Sequence, residues 1–148
     1  MHLITNQEPV MNILKEAEVT YVTEEKAHRL LELARLGIAF DEFESLFREA
    51  PFSLGQWAHI LALSERTLQR YQKSGHRFST PESEKILKIA HVMYRGREVF
   101  GSPGVYHRWL SRPSATLGGQ APESLFDSMI GLDMVLDELG RIEHGVPA

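Results

Sequence analysis

The sequence predicts an all-α protein in which a helix-turn-helix unit is followed by a smaller helical unit. Two observations carry that prediction. Apolar residues recur at i, i+3, i+4 and i+7 through most of the chain, the spacing of one helix face. No stretch alternates apolar and polar residues for long enough to specify a sheet.

Taken in order, residues 1–22 form an N-terminal arm, with Tyr21 and Val22 as its expected docking residues. Thr23 ahead of Glu24, Glu25 and Lys26 opens a helix over 23–36. Its expected apolar face is Ala27, Leu30, Leu31 and Ala34, continuing to Ile38, and Gly37 ends it. Asp41 is the expected cap of a helix over 42–50, whose inner face is Phe43, Leu46, Phe47 and Ala50; Pro51 stops it. Ser53 and Gln56 form a Ser-x-x-Gln capping box for a helix over 54–61. Ser64 caps the next, over 65–73. Thr80-Pro81-Glu82 starts a helix over 81–100, with proline at its first position and Ile86, Ile89, Ala90 and Met93 inward. Gly101-Ser102-Pro103 interrupts it, which divides the chain into a domain at 23–99 and a second at 100–148. The second domain reads as helices at 103–110, 122–127 and 129–143, the last carrying Leu132, Val135, Leu136, Leu139 and Ile142.

Composition narrows the function. With 148 residues and 43% hydrophobic content, the chain supports one core or two small ones. No run approaches the roughly 18 apolar residues of a membrane span. The opening MHLITNQEPV lacks the basic-then-apolar pattern of a signal peptide, so the expected location is cytoplasmic, with no membrane partner. Cysteine is absent, which removes disulfides and thiolate metal sites. The net charge of −4 is unevenly spread. Residues 1–52 carry 5 basic and 10 acidic side chains, residues 53–113 carry 10 and 4, and residues 114–148 carry 1 and 6. A basic middle between acidic ends suits a polyanion for the middle only, although solvated helix faces would give the same count.

The stretch Ser53 to Gly75, SLGQWAHILALSERTLQRYQKSG, reads as two short helices flanking a tight turn at Ala62-Leu63-Ser64. Ala58 is small enough for the helices to cross closely, and Trp57, Leu61, Leu63 and Leu68 point wholly or partly inward. Arg66, Gln69, Arg70 and Lys73 share an outward face. Arginine pairs with guanine and glutamine with adenine through two hydrogen bonds each, which is what reading a major groove needs. Ser53, Gln56, Ser64 and Thr67 stand at helix starts, where phosphates bind, and Lys73 to Arg77 adds a basic loop. An ordinary helical hairpin with a solvated basic face is the competing reading. The stretch resembles the Cro/repressor-like (Xre) helix-turn-helix family, whose members often have glycine where this chain has Ala62.

The region from Phe100 to Val146 contains Leu117-Gly118-Gly119 ahead of Pro122 and Leu125, and closes on Leu139-Gly140-Arg141-Ile142-Glu143-His144-Gly145-Val146. About 45 residues can hardly bury Trp109, Phe126, Met129, Leu132, Val135 and Leu139 unaided. Either a partner or a second copy completes the burial, or the region is the second half of one core. The segment is similar to the toxin-binding domain of the Xre/MbcA/ParS antitoxin family, which carries LGG-x-x-P and ends in LGRIE-x-G-like motifs. That resemblance implies a RES-domain toxin as partner, one that consumes NAD or transfers ADP-ribose from it. It further implies that the antitoxin's C-terminal end blocks the toxin's active site. Carried over, the blocking segment is Arg141, Ile142, Glu143, Gly145 and Val146, following Leu139 and Gly140. Trp109 and Leu117 to Leu125 support it, including Gly118, Gly119 and Pro122. Operator DNA is the second implied partner. A homodimer is expected, because one helix-turn-helix contacts few base pairs, and with toxin it forms a larger hetero-oligomer. Exposed apolar surface in the C-terminal half is the expected self-interface.

No catalytic, cofactor or metal site is expected. The closest histidines, His76 and His91, lie 15 positions apart, so no helical His-x3-His pair exists. Asp133, Asp137 and Glu138 read as a solvated helix face. A stand-alone transcription regulator, or an adaptor whose helix-turn-helix no longer binds DNA, are the alternative functions.

Overall fold

The computed structural model describes residues 24–145. The arm at 1–22 with Tyr21 and Val22, the expected helix start at Thr23, and Val146 lie outside the described residues. The elements are α1 (Glu24–Leu36), α2 (Phe40–Glu49), α3 (Leu54–Leu61), α4 (Glu65–Ser74), α5 (Thr80–Phe100), α6 (Pro103–Leu110) and α7 (Met129–Glu143), with single 3-10 turns at Ala115–Leu117 and Pro122–Leu125. Among the described residues only two isolated antiparallel bridges occur and no strand, so the fold is all-α as the sequence predicts. The chain divides into two compact units between Ala90 and His91, inside α5.

Local signals set most boundaries, and three details differ from expectation. Asp41 does not cap α2. The helix begins at Phe40, Ala39 occupies the cap position without a side-chain bond, and the Asp41 carboxylate accepts from its neighbour Glu42 N–H at 3.0 Å. Burial of Phe40 draws the helix start inward. Helix α5 is capped by Ser79, not Thr80. Ser79 Oγ accepts from Glu82 N–H at 3.3 Å and Glu82 Oε1 accepts from Ser79 N–H at 2.8 Å, a reciprocal box. The expected helix over 122–127 is a 3-10 turn ending at Leu125.

The first unit is organised around Trp57, which is fully buried. Phe43 and Phe52 meet its ring edge-on at 4.9 and 5.4 Å, and Phe47 stacks at 6.4 Å. Phe78 joins through Phe43 at 5.2 Å. The expected α1 face is only partly used. Ala34 and the following Ile38 are buried, whereas Ala27 is exposed and Leu31 is 37% exposed.

A backbone clasp closes this unit. Phe78 N–H donates to Ile38 O at 2.8 Å and Phe40 N–H to His76 O at 3.1 Å, so residues 38–40 pair with 76–78. Gly37, at φ +90°, makes the turn into the clasp, and a Cβ there would strike the Phe78 carbonyl. Ser83 is fully buried beside it. Its Oγ accepts from Ile38 N–H at 2.9 Å and donates to Phe78 O at 3.3 Å.

In the second unit α5 and α6 meet through Gly96, where a Cβ would overlap the Tyr106 ring. Tyr106 is fully buried and its hydroxyl donates to Met93 Sδ at 3.3 Å. Gly131 lets α7 lie against the Leu125 carbonyl in the same way. Phe126, Leu132, Val135 and Leu139 fill the space between.

Replacing Ser83 with alanine strands the buried Ile38 N–H. The expected cost is about 1–3 kcal/mol of stability, read as a lower urea midpoint at unchanged m-value. An unchanged midpoint would show that the clasp needs no side-chain closure.

Candidate functional site

Helices α3 and α4 and their turn place the candidate nucleic-acid face. At the turn, Ala62 adopts the left-handed conformation, φ 57° and ψ 41°, the one non-glycine residue among the described residues with positive φ. Leu63 N–H reaches back to Ala58 O at 2.9 Å, which closes the end of α3 in a Schellman arrangement. Glycine would hold this conformation without strain, so alanine here costs roughly a kcal/mol. Ala58 is buried at the crossing, and Leu68 is the fully buried anchor of α4. Lys85 Nζ donates to Ile60 O at 3.0 Å, satisfying a carbonyl of the last turn of α3.

On α4 the residues Arg66, Gln69, Arg70 and Lys73 are all exposed and lie along one face. Arg66, Gln69 and Lys73 form no hydrogen bond or ion pair with described residues, while Arg70 lies over the Tyr71 ring at 5.9 Å. The four residues expected at phosphates are engaged in caps. Ser53 Oγ accepts from Gln56 N–H at 3.1 Å, and Gln56 Oε1 accepts from Ser53 N–H at 2.8 Å. Ser64 Oγ accepts from Thr67 N–H at 3.0 Å and donates to Thr67 Oγ1 at 2.8 Å. Their side chains orient the helix starts.

Arg77 sits apart from the α4 face. Its Nη1 donates to Gly37 O at 2.8 Å, which adds a side-chain tie to the clasp. It also influences Glu42. Burial pushes the Glu42 carboxyl above its ordinary value of 4.5, the charge of Arg77 opposes that rise, and Asp41 adds to it. Tyr71 and His76 stack at 3.8 Å where the chain leaves α4 through Gly75.

The residues expected at the second site separate by burial. Leu117, Pro122 and Leu139 are core residues of the second unit. Gly118 and Gly119, at φ 68° and 81°, form the exposed tip of the loop that Ser114 and Gln120 close. Trp109 and Leu125 are half-buried, Trp109 against Phe100 at 5.3 Å. Gly140, Arg141, Ile142 and Glu143 are the last turn of α7, and only Gly145 of the remaining described candidates follows it. Gly140 is therefore helical backbone whose carbonyl accepts from His144 N–H at 3.1 Å.

Both charged residues of that turn are engaged. Arg141 donates from Nε and Nη2 to Glu138 Oε2 at 3.0 and 2.8 Å, and Arg95 donates to Glu143. Glu138 is buried, 5% exposed, which corrects its reading as part of a solvated face; Asp133 and Asp137 are exposed. An arginine three residues on was the available signal. Gly96, Gly131, Ser83 and Arg95 also escaped the sequence reading, because their partners lie on other elements.

Geometry and charge define a helix-turn-helix protein whose chain continues into a second helical unit. Residues 29–91 match the family model described as Antitoxin Xre-like helix-turn-helix domain, and residues 95–145 match the one described as Antitoxin Xre/MbcA/ParS C-terminal toxin-binding domain. A relative named Antitoxin Xre from Yersinia enterocolitica is 30% identical over 118 residues, 79% of this chain and 80% of the relative. Another of that name from Photorhabdus laumondii is 31% identical over 96 residues, 64% of this chain and 65% of the relative. The chain belongs to the Antitoxin Xre family and carries its two domains in order.

Removing the Arg77 charge leaves burial as the main influence on Glu42. In Arg77→Ala the Glu42 carboxyl should titrate higher still, followed by side-chain NMR. Because its folded value lies above its unfolded one, protonating Glu42 favours the fold. Its contribution therefore grows as pH falls through the folded value and is absent well above it. A Glu42 titration that stays in place in the variant would contradict the assignment of Arg77 as its counter-charge.

Proposed function

We propose that this chain is the antitoxin of a bacterial toxin–antitoxin pair. It holds and silences a RES-domain toxin, one that consumes NAD or transfers ADP-ribose, and represses its own operon through the helix-turn-helix. The match of residues 95–145 to a toxin-binding domain is the observation that carries the reading. In it, residues 23–99 bind the operator and residues 100–148 bind the toxin. The chain works in the cytoplasm as a homodimer, because two half-sites about one helical turn apart multiply the specificity of a single short helix. With toxin it forms a larger hetero-oligomer.

On DNA, Arg66, Gln69 and Arg70 reach base edges, supported by their exposure on one face of α4. Lys73 contacts phosphate, and Ser53, Gln56, Ser64, Thr67 and Arg77 set the pose of the helices that approach the backbone. Arg66→Ala or Arg70→Ala should cost about 1–3 kcal/mol of operator affinity and relax base preference. Lys73→Ala should weaken all sequences alike and lower the salt slope by about one. Gel shifts with operator and scrambled duplex read both effects. Parental operator affinity in the two arginine variants would overturn the recognition-face assignment.

At the toxin, the C-terminal end occludes the active site. The blocking segment is Arg141 to Val146; the last turn of α7 presents its start, closed by His144 N–H on Gly140 O and Gly145 N–H on Ile142 O, both at 3.1 Å. Arg141, with Nε and one Nη2 hydrogen on Glu138, keeps its outer edge for an anionic group of the toxin site. Trp109, Gly118, Gly119 and Leu125 form the supporting surface, while Leu117, Pro122 and Leu139 hold it in shape. Ending the chain at Glu143 should leave operator binding and thermal stability intact and release toxicity when the adjacent reading frame is co-expressed. Continued protection of growth at matched expression would show that the tail is not the inhibitor.

A further inference from the structure

Helix α7 buries Gly131, Leu132, Val135, Glu138 and Leu139 on one side. Its opposite side carries Ile130, 76% exposed, and Met134, 38% exposed, with Met129 beside them at 41%. Ile130 and Met134 are one helical turn apart, so their side chains adjoin on the surface. Three of the six exposed large apolar residues of the described chain thus sit on the first half of one helix. Nothing inside the unit requires isoleucine at 130. Isoleucine is a weaker helix former than lysine, arginine or glutamate, and this one leaves most of its apolar surface in water. Asp133 and Asp137 are exposed on the same helix, and its one basic residue, Arg141, is bound to Glu138.

We infer that the face built from Ile130, Met134 and Met129 docks into an apolar pocket of the toxin rimmed by basic side chains. Charge selects that occupant. Phosphates would be repelled by Asp133 and Asp137. A two-fold contact of this helix with a second copy would bring the same aspartates toward their counterparts, a like-charge arrangement that interfaces avoid. A basic-rimmed protein surface gains from both the apolar centre and the acidic edge. This face begins a full helix ahead of the C-terminal end, so it captures the toxin independently of the segment that blocks it. The inference rests on the antitoxin reading above.

The test is the double variant Ile130→Asp, Met134→Asp, in the full chain, titrated with the purified product of the adjacent reading frame by calorimetry. The dissociation constant should rise at least about 30-fold, as for loss of a central interface anchor. Operator affinity, thermal midpoint and oligomeric state should stay at parental values. The conservative pair Ile130→Leu, Met134→Leu should bind within about threefold of the parent. If the aspartate variant binds as tightly as the parent, the inference falls and the antitoxin reading stands. If its toxin affinity is parental but its homodimer dissociates, the face joins two copies and the inference is overturned. If the parent itself does not bind that product, the antitoxin reading and the inference fall together.

Discussion

The first unit depends on closing its backbone where no regular element does so. Residues 38–40 leave α1 and residues 76–78 leave α4, and each strip has N–H and C=O groups that would otherwise be buried without partners. Pairing them removes that cost, and the Ser83 hydroxyl satisfies the Ile38 N–H and Phe78 carbonyl at the seam. The consequence reaches α4, the helix proposed above to face DNA. Helix α4 is fixed at its start by the Ser64 cap and at its end by the short path through Gly75 into the clasp. With Leu68 buried between, its outward face has little freedom to rotate, which is the pre-organisation that paired hydrogen bonds to bases require.

The second unit is set by close approach and by charge. Two glycines, Gly96 and Gly131, allow backbone and ring to meet where any side chain would intervene. The buried Glu138 carboxylate is tolerable because Arg141 supplies two N–H donors. Arg95 adds a tie from α5 to Glu143. These contacts keep the end of α7 helical through Glu143.

What was legible in the sequence is what is local. The Ser53–Gln56 box and the Ser64 cap could be read because each bond spans three residues. The Ser79–Glu82 box has the same spacing, yet Pro81 drew the start of α5 one residue late. Asp41 looked like a cap from its type, but burial of Phe40 decided the helix start. The clasp was not legible, since its strips lie some forty residues apart and neither alternates. Helical spacing named Ala27 and Leu31 as inward without saying what they would meet, and the structure leaves both exposed. The shared exposed face of Arg66, Gln69, Arg70 and Lys73 followed from spacing alone. The engagement of Arg77 with Gly37 and Glu42 needed coordinates.

The chain has two tryptophans, and they fall one in each unit. Trp57 is sealed among phenylalanines, and its indole Nε1 is the one buried polar side-chain atom among the described residues without a partner. An indole in such surroundings emits at short wavelength and is sheltered from dissolved quenchers. Trp109 is half-exposed against Phe100, so water relaxes around its excited state and its emission lies further to the red. The protein therefore carries a native two-colour label. Iodide, which reaches Trp109 and is kept from Trp57, divides the spectrum into a signal from each unit. Loosening of the helix-turn-helix unit and events in the second unit can then be followed separately in one cuvette, on the unmodified chain.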